Sequence, residues 1–475
     1  MENIETLRNE IQGKVITQQS PEYNEARLNW NPWTSHFPYY IVYPLSENDV
    51  KECIVWCKKY DVAFRIRGRV SHSLGYDFSS ANRALVCNMQ NFTQINNESP
   101  NTITIGSGNV LGDFILYLAK DGYMFPYGDI YGLGVAGFIQ GGGIGLQNKQ
   151  MGLASDNILG CKLITANEEV LTVDEKTNSD LYWAVKGGGG GNFGVVTEMT
   201  LNYQKAPQLI TSIKLVWRGI DLKSIREIII EWMNTNLYGN INICRNLIMT
   251  KENGSTGLFN ADISALIYNN DESLFVFKSI GKFVKTVSVL TYYEMIQRNL
   301  LPENRSELNY KFLGYFTDKI LDDTTVDILI NYFNENESDL FFLEMGGNFH
   351  TDPKATAFYW RDSILYFETS KIWPPYKDQE IIYDCRRQHQ CISSSDSTIQ
   401  NITKPNFESY REIAYKLGKI YKKGYVNVPN NTYIDPHKYE KFYYGENRRR
   451  LRRIKARYDP SNFFNFSQSI IPTTK

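Results

Sequence analysis

The stretch Gly134-Val135-Ala136-Gly137-Phe138-Ile139-Gln140-Gly141-Gly142-Gly143-Ile144-Gly145 decides the reading of this chain. A second stretch supports it: Trp183-Ala184-Val185-Lys186, five glycines at 187–191, then Asn192-Phe193-Gly194. Glycine costs local order and is kept where the backbone needs φ > 0 or must come close to something. Two such runs so close together fit a large anionic ligand held by main-chain N–H groups, with a diphosphate as the natural choice. Flexible turns are the plainer alternative. Against them, Phe138, Ile139 and Phe193-Gly194-Val195-Val196 embed the glycines in apolar sequence.

Outward from these runs the chain is ordinary in bulk. Its 475 residues allow two or three domains, and 42% apolar residues with a net charge of -1 fit a globular protein rather than a nucleic-acid binder. The one basic run, Arg448-Arg449-Arg450-Leu451-Arg452-Arg453, reads as a solvated helix face. Seven cysteines form no CxxC pair, and Cys53 and Cys57 sit at helical spacing, which suits reduced thiols in a cytoplasmic protein. The polar start Met1-Glu2-Asn3-Ile4-Glu5 has no apolar leader, and no apolar run is long enough to span a bilayer. The five histidines make no metal-binding pair, so no metal is expected.

Residues 1–35 read as helical and then turn-rich. Strands are expected at 39–44, 64–67, 84–87 and 102–105, and helices at 46–60, capped by Ser46, and 110–120. A hairpin fits 158–165 and 169–173, then a helix at 180–185 and a strand at 194–203. Beyond Pro207, strand-like runs at 212–217, 241–250 and 261–268 alternate with helical segments at 222–236 and 273–285. The fold class is α+β, with an antiparallel sheet covered by helices in a second domain. A Rossmann site is the rival reading, because Gly132-Leu133-Gly134-Val135-Ala136-Gly137 matches GxGxxG by spacing. A βαβ unit following it is missing.

In order, the motifs are Pro38 with Pro44 and Asp49-Val50, Ile66-Arg67-Gly68, Gly106-Ser107-Gly108, the two glycine runs, and Gly152-Leu153-Ala154-Ser155-Asp156-Asn157. Asp180-Leu181-Tyr182-Trp183-Ala184 follows. The closing block is Tyr444-Gly445-Glu446-Asn447, Tyr458-Asp459-Pro460-Ser461-Asn462-Phe463-Phe464 and Gln468-Ser469-Ile470. Together they resemble the berberine-bridge-enzyme-like branch of the vanillyl-alcohol-oxidase flavoproteins. The resemblance covers nearly the whole chain. It implies a PCMH-type FAD-binding domain over 1–205, a substrate domain over 206–415, and a segment over 416–475 that returns to the FAD domain. The implied activity is FAD-dependent oxidation of a small alcohol, sugar-like molecule or secondary metabolite, with O2 or another electron acceptor. A non-redox flavoprotein catalysing cyclisation or isomerisation, or an FAD-binding pseudoenzyme, is the alternative. No oligomeric state is implied.

The resemblance places Arg67, Gly68, Ser71, His72, Ser73, Leu133, Gly134, Gly137, Gly141, Gly142, Gly143, Asn157, Gly190, Asn192, Gly194, Val195, Tyr425 and Asn427 against FAD. His72 is the implied attachment point, after a one-residue insertion following Gly68. A second, cysteinyl link is not expected, because the matching position is Ile130. Leu133 stands where relatives carry a valine beside the flavin, which implies slower reaction with O2.

Oxidising a C–H bond next to an O–H or N–H group calls for a base. Family members use the last tyrosine of a Tyr-x-Asn-Tyr pattern, but here Tyr425-Val426-Asn427-Val428 ends in valine. Strand periodicity puts Tyr366 and Glu368 on one face, so these two and Tyr425 are the candidate catalytic residues. Tyr359 and Trp360, with Tyr131, Phe358 and Trp373, suggest a flat or apolar substrate.

Overall fold

A computed structural model describes residues 4–31, 36–69, 79–235, 239–252, 257–269, 271, 275, 277–278, 280–300, 308–374, 407–430 and 432–473. The first sheet is built from β1 (Lys14–Thr17), β2 (Tyr40–Tyr43), β3 (Phe64–Arg67) and β4 (Leu85–Asn88), in the order β1-β2-β4-β3. Between β2 and β3 runs the helix Glu47–Lys59, whose Ser46 cap accepts the Asp49 N–H. Its buried Val50, Cys53, Ile54 and Cys57 form the expected face. The amino-terminal stretch is less helical than expected: helix Ile4–Glu10 gives way to β1 and then to the single turn Tyr23–Ala26. Val15-Ile16 is β-branched, and pairing with β2 overrides the local helical reading.

The second sheet contains β5 (Ile95–Ser99) and β6 (Thr102–Gly106). A short β7 (Tyr123–Met124) lies apart, and then come β8 (Ile158–Ile164), β9 (Val170–Asp174) and β10 (Val195–Asn202). Their antiparallel order is β5-β6-β10-β8-β9, and β7 pairs with β11 (Gln204–Lys205). The glycine runs lie between β7 and β8 and just before β10.

The third sheet has seven antiparallel strands: β12 (Leu209–Ile220), β13 (Ile243–Lys251), β14 (Phe259–Ile267), β15 (Val284–Thr291), β16 (Asn309–Thr317), β17 (Leu340–Glu344) and β18 (Leu365–Trp373). Their order is β15-β12-β14-β13-β17-β18-β16. One face carries Leu247, Phe342, Leu313 and Phe367, packed with Ile229, Leu329 and Leu417 of helices Leu222–Asn234, Asp323–Glu335 and Glu408–Ile420. The opposite face carries Asn246, Phe341, Leu343, Tyr366 and Glu368. The helical expectation at 273–285 fails at its end, where Val284 and Lys285 begin β15. As an edge strand, β15 is exposed along most of its length, so no apolar alternation marks it.

Candidate active site

A cavity of about 680 Å³ lies between the open face of the third sheet and the two smaller sheets. Gly134, Gly137, Gly190 and Gly191 form part of its wall. A Cβ at any of these four would meet nothing closer than 3.6 Å, so it would project into the cavity. Among the described residues, no acceptor takes the N–H of Ala136, Gly137, Gly190 or Gly191. Ser79 and Ser107 add two buried hydroxyls on the same wall, also without partners. A run of main-chain donors with no side chain in front of them suits a diphosphate. This part of the chain therefore fits FAD.

The middle of the first glycine run does something else. Gly141 and Gly142 donate their N–H groups to Gly137 O (3.3 Å) and Ile139 O (3.0 Å), and Gly143 donates to the Tyr425 hydroxyl (3.0 Å). A Cβ on Gly141 would lie 1.9 Å from Asn427 Oδ1. Glycine there makes room for the carboxy-terminal segment. Of the other expected cofactor residues, Gly68, Leu133, Gly194, Tyr425 and Asn427 line the cavity. Arg67 instead turns away and donates to Ala26 O (2.8 Å). Asn157 holds the turn before β8 through Met151 O and Leu153 O, and buried Val195 opens β10. Asn192 Nδ2 donates to Gly188 O (3.0 Å), and its Oδ1 accepts from Ile470 N–H (2.9 Å). It thus staples the second glycine run to the carboxy terminus. Ser71, His72 and Ser73 lie outside the described residues. Ile130 is on the cavity wall.

Facing the glycines across the cavity, Tyr366 donates its hydroxyl proton to Glu368 Oε2 at 2.6 Å. Strand register explains the pair. Glu368 stands opposite Phe341 and Gly314, and a Cβ on Gly314 would lie 2.2 Å from the Tyr366 hydroxyl oxygen. Gly314 therefore leaves the space in which Tyr366 leans along its own strand. Tyr425 accepts from Gly143, Ile144 (3.3 Å) and Asn427 Nδ2 (3.0 Å), and its ring packs edge-on against Tyr366 with centroids 6.1 Å apart. Burial pushes Glu368 up to about 7, against the Tyr366 hydrogen bond, which lowers it, and with the charges of Asp129 and Asp339, which raise it. Burial also raises Tyr366 well above the usual phenol value, and Tyr425 to about 12. At neutral pH the arrangement thus holds two neutral phenols and one carboxyl group poised to change its proton.

The aromatic pocket expected from Tyr131, Phe358, Tyr359, Trp360 and Trp373 is not where those residues lie. Trp360 is buried and donates to Phe442 O (2.9 Å), Phe358 packs behind Gly142, and Tyr131 bonds Asp113. The aromatic wall comes instead from Tyr127, Phe138, Tyr310, Phe312, Phe341 and Tyr366. Sequence reasoning also passed over Asp129 and Asp339. Only the fold brings these two acids to the same cavity as Glu368.

Residues 38–174 match the FAD binding domain family and residues 424–471 the berberine and berberine-like family. The FAD-linked oxidoreductase YvdP of Bacillus subtilis (strain 168) is 30% identical, over 98% of this chain and 99% of its own length. A second one from that organism, YgaK, is 28% identical over 98% of each chain. The solved structure of Physcomitrella patens BBE-like 1 covers the full length of both chains with a TM-score of 0.81 at 22% identity. With both family matches in their expected order and 30% identity over nearly the full length of a relative, the chain belongs to the berberine-bridge-enzyme-like family of FAD-linked oxidoreductases.

Proposed function

We propose that this FAD-dependent oxidoreductase oxidises a C–H bond of a small organic substrate held between the glycine cradle and the Tyr366–Glu368 pair, with Glu368 as the base. The observation that carries this reading is the 2.6 Å hydrogen bond from Tyr366 to Glu368 on the cavity wall. FAD would be held by the open N–H groups of Ala136, Gly137, Gly190 and Gly191 and the hydroxyls of Ser79 and Ser107, and would supply the two-electron acceptor. O2 or another small molecule would be the final electron acceptor, and Leu133 lines the same cavity. Histidyl attachment at His72 is the link we favour, and the three-part division at 205 and 415 is the organisation we adopt.

The chain's own residues do the rest. Glu368 accepts the proton from the substrate's O–H or N–H group. Tyr366 holds the carboxylate oriented and stabilises its charged form through its hydroxyl. Tyr425, fixed by three donors, keeps its ring against Tyr366 and closes that side of the cavity. Val428, also on the wall, contributes bulk and no proton chemistry. Anaerobic mixing with a panel of alcohols and amines, followed at the flavin absorbance, tests the reading. Losing a general base costs about 10²–10⁴-fold in rate, so Glu368→Gln should slow flavin reduction by that order. Tyr366→Phe should slow it less. Parental rates in both variants would remove the pair from the mechanism.

A further inference from the structure

We propose that the chain pairs with a second copy of itself, strand β15 against strand β15, antiparallel about a two-fold axis at Val287. The proposal is independent of the reaction, because it concerns the edge of the third sheet that lies away from Tyr366 and Glu368.

The two edges of that sheet differ. At β16 the outward main chain is covered along its length. The Asn31 side chain pairs with Tyr310 as a strand would, Nδ2 donating to Tyr310 O (2.8 Å) and Oδ1 accepting the Tyr310 N–H (3.2 Å). The Tyr410 hydroxyl donates to Phe312 O (3.0 Å), and the Phe316 N–H donates to Lys423 O (2.9 Å). At β15, Thr291 at the end donates its N–H to Glu294 Oε2 (2.9 Å), and among the described residues nothing else bonds to the outward main chain. Natural sheets protect a bare edge with charge, proline, a bulge or a very short strand. β15 is eight residues long, has no proline and only Lys285 as a charge, and pairs with β12 without a register shift. It also shows valines to solvent: Val284 is 64% exposed, Val289 53% and Val287 39%.

The occupant that fits this edge is the same strand. Facing side chains of an antiparallel pair lie on one side of the sheet, so a two-fold axis between identical strands must pass through a residue. Thr291 is committed to the cap of the helix that follows, which leaves 284–290 free, with Val287 at its centre. Val287 then faces its own copy, Thr286 faces Ser288, and Lys285 faces Val289. The two lysines never stand opposite each other, and each lays its apolar stem along a valine. Thr286 on one face and Lys285, Val287 and Val289 on the other are all exposed, so both faces of the strand are open to an incoming partner. One strand pair is small beside the roughly 800 Å² per partner of a standard interface, so the dimer is a weak one that depends on concentration.

The test is sedimentation velocity on flavin-loaded protein from about 1 to about 100 µM, the range of weak association. The mean mass should climb from the 54.9 kDa of one chain toward twice that value. Val287→Lys places like charges face to face at the axis and should weaken the dimer by about tenfold or more, and Val287→Glu should do the same. An equal mixture of the two variants should dimerise again, lysine against glutamate, which a misfolded variant could not do. The flavin spectrum should stay that of the parent, because β15 lies five strand spacings, roughly 24 Å, from β18. Parent protein that stays monomeric throughout, a dimer that persists in Val287→Lys, or a mixture that stays monomeric would each overturn the proposal. Species larger than two copies would overturn it as well, since the covered β16 edge ends the pairing.

Discussion

At the scale of single residues, the site depends on one missing Cβ. Gly314 has no positive φ to require glycine, so its role is purely the space it leaves for the Tyr366 hydroxyl. Gly314→Ala should push Tyr366 away from Glu368 while leaving both chemical groups in place. The consequence for pH follows from the sign of the interaction. Glu368 works as a base only when ionised, so flavin reduction should fall as pH drops through about 7. The Tyr366 hydrogen bond favours the ionised form. Removing it should therefore raise the carboxyl pKa and move the acid limb of the rate profile to higher pH. Stopped-flow reduction across pH reads this directly. A lower rate with an unmoved limb would mean that Gly314 only supports the strand.

At the scale of elements, the carboxy-terminal helices act as a clasp on the second glycine run. Lys455, in helix Arg448–Tyr458, is fully buried and donates to Asn192 O (2.6 Å), Asp459 Oδ2 (2.7 Å) and Phe464 O (2.8 Å). Tyr444, at the end of helix Pro436–Tyr444, donates to Gly188 O (3.0 Å). Breaking a buried ion pair from one side costs about 3–5 kcal/mol, because the remaining charge is stranded. Lys455→Met should lower the melting temperature and loosen the flavin's surroundings together, read as a change in flavin fluorescence, whereas Tyr444→Phe should do so less. Thermal melts with flavin fluorescence check this, and a Lys455→Met protein that melts like the parent would refute the clasp. Much of this layer was legible beforehand. Alternation in 364–369 puts Tyr366 and Glu368 on one face, and the Ser46 cap with its apolar stripe marks the helix that follows. The edge strand β15 was not legible, because its exposed residues carry no period. Nor were the positions of Asp129 and Asp339, or the turning of Gly141–143 toward Tyr425 and Asn427. These depend on contacts between segments far apart in sequence, which no local pattern records.

At the scale of the whole molecule, the sheet of β12 to β18 meets the rest of the chain through a continuous apolar core, with two polar anchors and the cavity beside it. Lys149, just past the first glycine run, and Arg245 of β13 meet at Glu344 of β17, at 2.7 and 3.0 Å. Arg361 grips Asp156 with two nitrogens, at 2.8 and 2.5 Å. Between these anchors the cavity walls come from both parts of the chain, so a ligand that filled it would touch each and couple their unfolding. A ligand present at a thousandfold excess over its dissociation constant stabilises by about 4 kcal/mol. This predicts a difference that depends on attachment. Acid precipitation of parent protein should leave the flavin in the pellet, while His72→Ala protein should release it to the supernatant. Washed free of flavin, the His72→Ala protein should melt at lower temperature and in two steps, as the sheet of β12 to β18 parts from the rest. Added FAD should merge the steps and restore the temperature, whereas riboflavin, which lacks the diphosphate that the glycine cradle fits, should not. A single unshifted transition with and without FAD would show that the shared apolar core and the Glu344 and Arg361 anchors couple the two parts by themselves, and the cavity would then have no part in holding the molecule together.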